Sequence, residues 1–235
     1  MLLIASTSES PIAALRTRGW SRRGRERIEG RTLYRWETAQ GELATVVTGG
    51  GQGELRDALI EIDTRRRIRA LIGLGYSCAL TADLKVGEVC IPETLLRDDT
   101  VPVSPHAACL TVAKQSAAEN ADAAWRFGKA FTYLKSEPPR EERAALAEKH
   151  GAQWADPDGG HAAHVGARLA VPWLVVRAIV DPLDGDAPLT PRERRHAEKR
   201  AARNLGHAAD LLIPRFFASL DHDESQTISN YYSGD

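Results

Sequence analysis

The chain alternates short, almost wholly apolar runs with longer stretches in which apolar residues recur at helical spacing. Leu2-Leu3-Ile4-Ala5-Ser6 is the first such run, and a polar segment follows it at once. Runs that are apolar at every position suit strands covered on both faces, the habit of sheets whose strands are joined by helices. Ala44-Thr45-Val46-Val47-Thr48 ends in Gly49-Gly50-Gly51, and Leu55, Ala58, Leu59 and Ile62 then recur with a helical period. That is a strand, a glycine turn and a helix. Ala70 to Gly75 and the β-rich Val86 to Pro92 predict two further strands. From Pro102 to Pro139 the period weakens. Ala117 to Ala130 reads as a helix, and Lys135-Ser136-Glu137-Pro138-Pro139 as a break. Glu141 to His150 and Gly159 to Leu169 predict helices, the second leading into a strand from Pro172 to Ile179. Beyond Pro191, the stripe Ala201, Leu205, Ala208, Leu211 and Leu212 predicts one long helix packed on the sheet. The expected fold is a single-domain, three-layer α/β/α unit with a mixed central sheet over residues 1–220, followed by a polar tail over 221–235.

Composition narrows the functional classes. With 235 residues, 43% of them hydrophobic and 27% charged, the chain can bury one substantial core. Lys and Arg number 31 against 32 Asp and Glu, a formal net charge of -1, so no overall field draws it to nucleic acid or an anionic membrane. Cys78, Cys90 and Cys109 form neither a disulfide framework nor a CxxC metal motif. A reducing cytoplasm is the expected location. The first apolar run lacks a preceding basic region and is too short for a leader or a membrane span.

In open α/β sheets ligands bind outside the carboxyl ends of the strands. Four clusters fall there: Ser6 to Ser10, Thr48 to Gly53, Gly75 to Cys78, and Asp181 to Asp184. Gly49, Gly50 and Gly51 leave main-chain N–H groups open to a sugar hydroxyl, phosphate or carboxylate. The turn matches neither the dinucleotide fingerprint nor the P-loop, and a ligand-free tight turn explains it equally. Asp181 ends an apolar strand, where partial desolvation lets a carboxyl group act as a proton donor; with Pro182, Asp184 and Gly185 it also has the makings of a simple turn. His161 and His164 share a helix face without an apparent third metal ligand, so no metal or other cofactor is expected. Cys78 fits a small buried residue better than a nucleophile. The runs Arg65-Arg66-Arg67 and Arg192-Glu193-Arg194-Arg195 read as solvated faces.

Two segments carry a family resemblance. Gly75-Tyr76-Ser77-Cys78-Ala79-Leu80-Thr81-Ala82-Asp83-Leu84-Lys85-Val86-Gly87-Glu88-Val89 is similar to a glycine-rich strand end followed by "LKVGDVV", and Val171 to Asp181 to "VPFLVVRAISD". In this order they resemble the superfamily of purine nucleoside phosphorylases and methylthioadenosine/S-adenosylhomocysteine nucleosidases. Thr48-Gly49-Gly50-Gly51 and the position of Glu9 are similar to the hopanoid-associated phosphorylases. The resemblance implies cleavage of the N-glycosidic bond of an adenine-type nucleoside, with Asp181 as the acid at purine N7, Asp158 on the ribose and Glu9 near the sugar or nucleophile. Tyr76, Ser77, Cys78, Pro157 and Asp158 join the glycine turn as substrate contacts, and a homodimer is the implied assembly.

Departures from the pattern qualify that expectation. Ala155-Asp156-Pro157-Asp158 stands where the family commonly reads "VDME", so Pro157 replaces the Met against the sugar and the shorter Asp158 replaces a Glu. Tyr76-Ser77-Cys78 replaces a small Ser-Ala-Gly, and Val180 replaces the Ser before Asp181. No arginine is evident at Ser6 to Ser10 or Gly73 to Gly75. Water is therefore the expected acceptor, with Arg23, Arg56 or a partner subunit's arginine as the route to a phosphorylase. Phosphorolysis of an unusual nucleoside, or a nucleoside-binding protein with weakened turnover, are the alternatives.

Overall fold

Each long apolar run folds as a strand. The computed structural model describes residues 1–15, 20–49, 53–98, 100–119, 124–133, 137–184 and 188–232, with backbone only over 219–232. In chain order the elements are β1 (Leu2–Ser6), α1 (Glu9–Leu15), β2 (Ser21–Ile28), β3 (Arg31–Thr38), β4 (Gly41–Val47), α2 (Glu54–Arg66), β5 (Ala70–Ala79), β6 (Val89–Leu96), α3 (Ala107–Ala118), β7 (Trp125–Thr132), α4 (Arg140–His150), β8 (Trp154–Asp156), α5 (Gly159–Arg168), β9 (Trp173–Asp181) and α6 (Pro191–Tyr232).

The strands form one nine-stranded mixed sheet in the order β2-β3-β4-β1-β5-β8-β7-β6-β9, in which β5 also pairs with β9. That extra pairing closes the last five strands into a ring. β1, β4, β5 and β9 run parallel, so Ser6, Val47 and the ends of β5 and β9 point the same way. β5 is long enough to meet β1 through Leu74 and then β8 at Cys78 and Ala79.

Alternation along these strands sorts the core into two layers. Leu2, Ile4, Ile72, Leu74, Leu174 and Val176 pack with Ile12, Ala113, Leu205 and Phe216, on the side of α1, α3 and α6. Leu3, Ala5, Leu71, Val175 and Ile179 pack with Leu55, Leu59, Ala162 and Val165 of α2 and α5. The expected three-layer α/β/α arrangement with a mixed sheet is what the chain adopts.

Three expectations shift. Among the described residues of 117–130 the expected helix is not found: α3 stops at Ala118 and β7 starts at Trp125. The buried helical stripe is Cys109, Ala113 and Ser116, earlier in the chain, and the residues from Trp125 pair with β6 in parallel register. Tertiary pairing overrides the helix propensity of an alanine-rich stretch. The strand expected from Val86 begins at Val89 and runs to Leu96, while α6 carries helical backbone through Tyr232, past the expected boundary at 220. The β2–β3 hairpin has no counterpart in the sequence reading. It turns at Glu29 and Gly30, with φ 45° and 76°, the positive angles a tight two-residue hairpin needs.

Gly166 sets how closely α5 approaches β9. A Cβ there would stand 2.6 Å from Trp173 Cγ, and the indole is buried against rigid neighbours. Gly166→Ala should therefore lower stability by about 1–3 kcal/mol through overpacking, despite the better helix propensity of Ala. Urea denaturation checks this, and an unchanged or higher midpoint contradicts it.

Candidate active site

Arg177, in the middle of β9, is buried to 1% exposure and sits opposite Gly75 of β5. A Cβ at Gly75 would lie 2.6 Å from Arg177 Nη1, so the guanidinium crosses the strand through space that only glycine leaves. Its Nη2 donates to Asp158 Oδ1 at 2.7 Å, its Nε lies 3.3 Å from Asp156 Oδ2, and its Nη1 donates to the Gly73 carbonyl at 3.3 Å. Asp156 also receives the backbone N–H groups of Asp158, at 3.0 Å, and Gly159, which start α5. On the other side Thr7, just past β1, donates its hydroxyl to Asp158 Oδ2 at 2.5 Å. Burial raises the pKa of Asp158; Arg177 opposes that shift, and the neighbouring Asp156 adds to it. For Arg177, burial opposes the charge, and the two carboxylates outweigh it to leave the pKa raised.

Asp181 ends the same strand four positions on, about 13 Å away along an extended chain. Its Oδ2 accepts a 2.6 Å hydrogen bond from Arg143 Nη2 of α4, and Arg194 Nη1 of α6 lies 3.7 Å from the same oxygen. Its Oδ1 is buried and has no hydrogen-bond partner. Burial works against the Arg143 charge, and the hydrogen bond to Asp181 together with the charges of Cys78, Asp181 and Glu137 more than offsets it, raising its pKa. Arg194 is anchored in turn by both oxygens of Glu137, at 2.9 and 2.5 Å, and by Glu198 at 3.3 Å. One face of the run from 192 to 195 thus turns inward to the strand end, correcting its reading as wholly solvated. Arg65 and Arg66 do make exposed pairs, with Glu61 and Glu26.

The remaining described candidates stand on β5 or just after β1, β4 and β8. The glycine turn joins β1 because Thr48 N donates to the Ser6 carbonyl at 2.9 Å. Gly49 has φ 80°, and Gly50 and Gly51 lie outside the described residues. Glu9 heads α1 at the surface, two residues after Thr7. Tyr76 faces α6, where its hydroxyl donates to the Glu198 carbonyl at 3.4 Å; burial is the main cause of its raised pKa, and a hydrogen bond with Ser10 works against it. Ser77 is buried with an unpartnered Oγ. Cys78 lies opposite Asp181 in register and donates to the Ala155 carbonyl at 3.5 Å. Burial pushes its thiol up to about 12, which suits a packing residue and not a nucleophile. Pro157 is half-buried between Asp156 and Asp158.

The family model described as the phosphorylase superfamily matches residues 15–214. The chain belongs to the phosphorylase superfamily. A search of curated proteins by sequence finds no match. Among solved structures, this superfamily member is similar to a mutant Helicobacter pylori methylthioadenosine nucleosidase with 5′-methylthioadenosine in its active site. That pair shares 15% identity over 90% of this chain and 97% of the other, with a TM-score of 0.79. A putative methylthioadenosine nucleosidase from Weissella paramesenteroides shares 20% identity, covers 93% and 97%, and has a TM-score of 0.78. The native futalosine hydrolase of Helicobacter pylori shares 14% identity, covers 90% and 96%, and has a TM-score of 0.79. At these identities the likeness establishes a common fold.

Sequence reasoning missed Arg143, Asp156, Arg177 and Arg194 in this candidate site, and placed Thr7 in the Ser6 to Ser10 cluster without singling it out. Arg177 had a readable signal, a charge inside an otherwise apolar strand. Arg143 and Arg194 had none, because both lie in helices where arginines are common. Arg31 was missed too; it donates from Nε to the Thr48 carbonyl at 3.2 Å beside the glycine turn, with Glu54 3.7 Å away.

The raised pKa of Asp158 has a sign that stability measurements can read. Between the ordinary aspartate value of about 3.9 and the raised folded value, the native chain binds more protons at this group than the unfolded chain. Asp158 therefore subtracts stability as pH climbs through that window. In urea titrations from pH 4 upward, Asp158→Asn should lose this falling component, and parallel pH profiles for the two proteins would contradict it.

Proposed function

We propose that this chain is an enzyme that cleaves the N-glycosidic bond of a purine, adenine-type nucleoside by hydrolysis, with Asp181 as the leaving-group acid. The observation that carries this reading is the asymmetry of Asp181. One oxygen is fixed by Arg143, and the other is buried without a partner. A buried polar oxygen left unpaired costs about 1–3 kcal/mol, a cost that a bound base removes by donating an N–H to it or, once the carboxyl group is protonated, by accepting from it at N7. As the glycosidic bond lengthens, the carboxyl group gives its hydrogen bond or proton to N7 and the sugar gains oxocarbenium character. Asp158 accepts from the sugar hydroxyls with the lone pairs that Arg177 and Thr7 leave over, since each carboxylate oxygen has two. The glycine turn that begins at Gly49 and the carboxylate of Glu9 flank the sugar and the attacking water, while Tyr76, Ser77, Cys78 and Pro157 wall the base and ribose. The enzyme works without a cofactor, as a homodimer in the cytoplasm.

Phosphorolysis of an unusual nucleoside is the second reading, and Arg31 at the glycine turn favours it, because a guanidinium there suits a phosphate acceptor. A nucleoside-binding protein with weakened turnover is the third, favoured by the prior engagement of both Asp158 oxygens.

Adenosine, inosine, methylthioadenosine, S-adenosylhomocysteine and futalosine, incubated with the protein with and without phosphate and then chromatographed, should yield free base from at least one nucleoside independently of phosphate. Phosphate-dependent release would select the second reading, and binding without release the third. Asp181→Asn should slow release by about 100-fold or more in protein that still melts cooperatively, at a lower temperature because the buried Arg143 loses its charged partner. Retained activity removes Asp181 from the mechanism.

A further inference from the structure

A second cluster of polar side chains lies away from Asp181, between α2, α5 and the segment that follows β6. Arg56, Arg97, Thr100, His161, His164 and Arg168 line a cavity of about 290 Å³, and no described Asp or Glu borders it. Arg56 pairs with the adjacent Asp57 at 2.9 Å, outside the cavity lining. Three guanidiniums make this a poor place for a metal ion, whatever the histidine spacing suggests. They make it a good place for an anion.

The hydrogen bonds define what kind of anion. His161 is 6% exposed, and its Nδ1 faces Arg97 Nη1 at 3.5 Å. Arginine only donates, so Nδ1 accepts and the proton of the neutral ring sits on Nε2. That Nε2 is buried without a partner. His164 has the opposite tautomer, because its Nδ1 stands 2.7 Å from the Gly160 carbonyl and must donate to it. Its buried, unpartnered Nε2 is then an acceptor. Thr100 Oγ1 is a further buried oxygen without a partner. Burial, followed by the charges of Arg97 and Arg56, lowers the pKa of His161, in keeping with a neutral ring there.

We propose that this cavity is a binding site for hydrogen phosphate, separate from the site at Asp181. The guanidiniums and His161 Nε2–H donate to its P–O⁻ oxygens, the Thr100 hydroxyl meets a further oxygen, and its single P–OH donates to His164 Nε2. This pattern of several donors around one acceptor distinguishes hydrogen phosphate from sulfate, which has no proton to give. It also excludes a dianionic phosphate monoester, whose last proton leaves near pH 6. The proposal does not rest on the nucleoside reading.

The test is calorimetric titration of the full chain at pH 7.5 and matched ionic strength with inorganic phosphate, sulfate and ribose 5-phosphate, alongside ¹⁵N-resolved spectra of the histidine side chains. Inorganic phosphate should bind saturably and shift the His161 and His164 Nε2 resonances along the same isotherm. Sulfate and ribose 5-phosphate should bind about 10-fold more weakly or worse. Arg97→Gln and the exposed Arg168→Gln should each weaken phosphate binding by about 10-fold, whereas Asp181→Asn should leave it unchanged. Unmoved histidine resonances, equal binding of sulfate, tighter binding of ribose 5-phosphate, or affinity indifferent to both arginine substitutions would each overturn the proposal.

Discussion

A guanidinium buried inside a sheet needs compensation close by, and in this chain Arg177 finds it in Asp156 and Asp158. Desolvating such a group costs several kcal/mol, and removing one partner of a buried pair typically costs about 3–5 kcal/mol. The geometry that compensates Arg177 also positions much of the molecule. Asp156 ends β8 and receives the first N–H groups of α5, Asp158 reaches the loop after β1 through Thr7, and Gly75 opens the room through which the side chain crosses β5. Three segments far apart in sequence, at Thr7, at Gly75 and from Asp156 to Gly159, are thus registered against one side chain. Both the expected sugar contact at Asp158 and the close packing of α5 on the sheet depend on that registration.

The other end of β9 uses charge differently. Arg143 and Arg194 come from two helices, converge on one oxygen of Asp181 and leave its second oxygen unspent. At Asp158 both oxygens are occupied, so the two carboxylates of the site differ in how much bonding capacity they retain. The substitutions at Pro157 and Asp158 fall at the carboxylate whose two oxygens each hold a partner, while Val180 stands beside the one that keeps an unpartnered oxygen.

The legible parts of the fold were those where burial dictates composition. Leu2 to Ala5 and Leu174 to Val180 are enclosed on both faces, so nearly every position must be apolar, and both read plainly as strands. The hairpin of β2 and β3 was illegible because much of it is exposed, and Ser21 to Arg27 carries four arginines and no apolar alternation. β7 was misread because only Ala130, Phe131 and Thr132 at its end are fully buried, which leaves the earlier residues without a strong pattern. The strand-end position of Asp181 was visible in the sequence. Its partners were not, since an arginine in a charged helix carries no mark of the direction its side chain takes.

Closure of β5, β8, β7, β6 and β9 into a ring has a consequence for how the chain behaves among its neighbours. A ring has no unpaired strand, so among the described strands the sheet keeps a single open margin, along β2. An open margin is a template for pairing with another chain, and natural sheets guard it with charge. Arg22, Arg23, Arg25 and Arg27 stand on that strand, and two copies approaching margin to margin would bring eight guanidiniums together. The positive stripe that hid this strand from a hydrophobic reading of the sequence acts as a guard against aggregation.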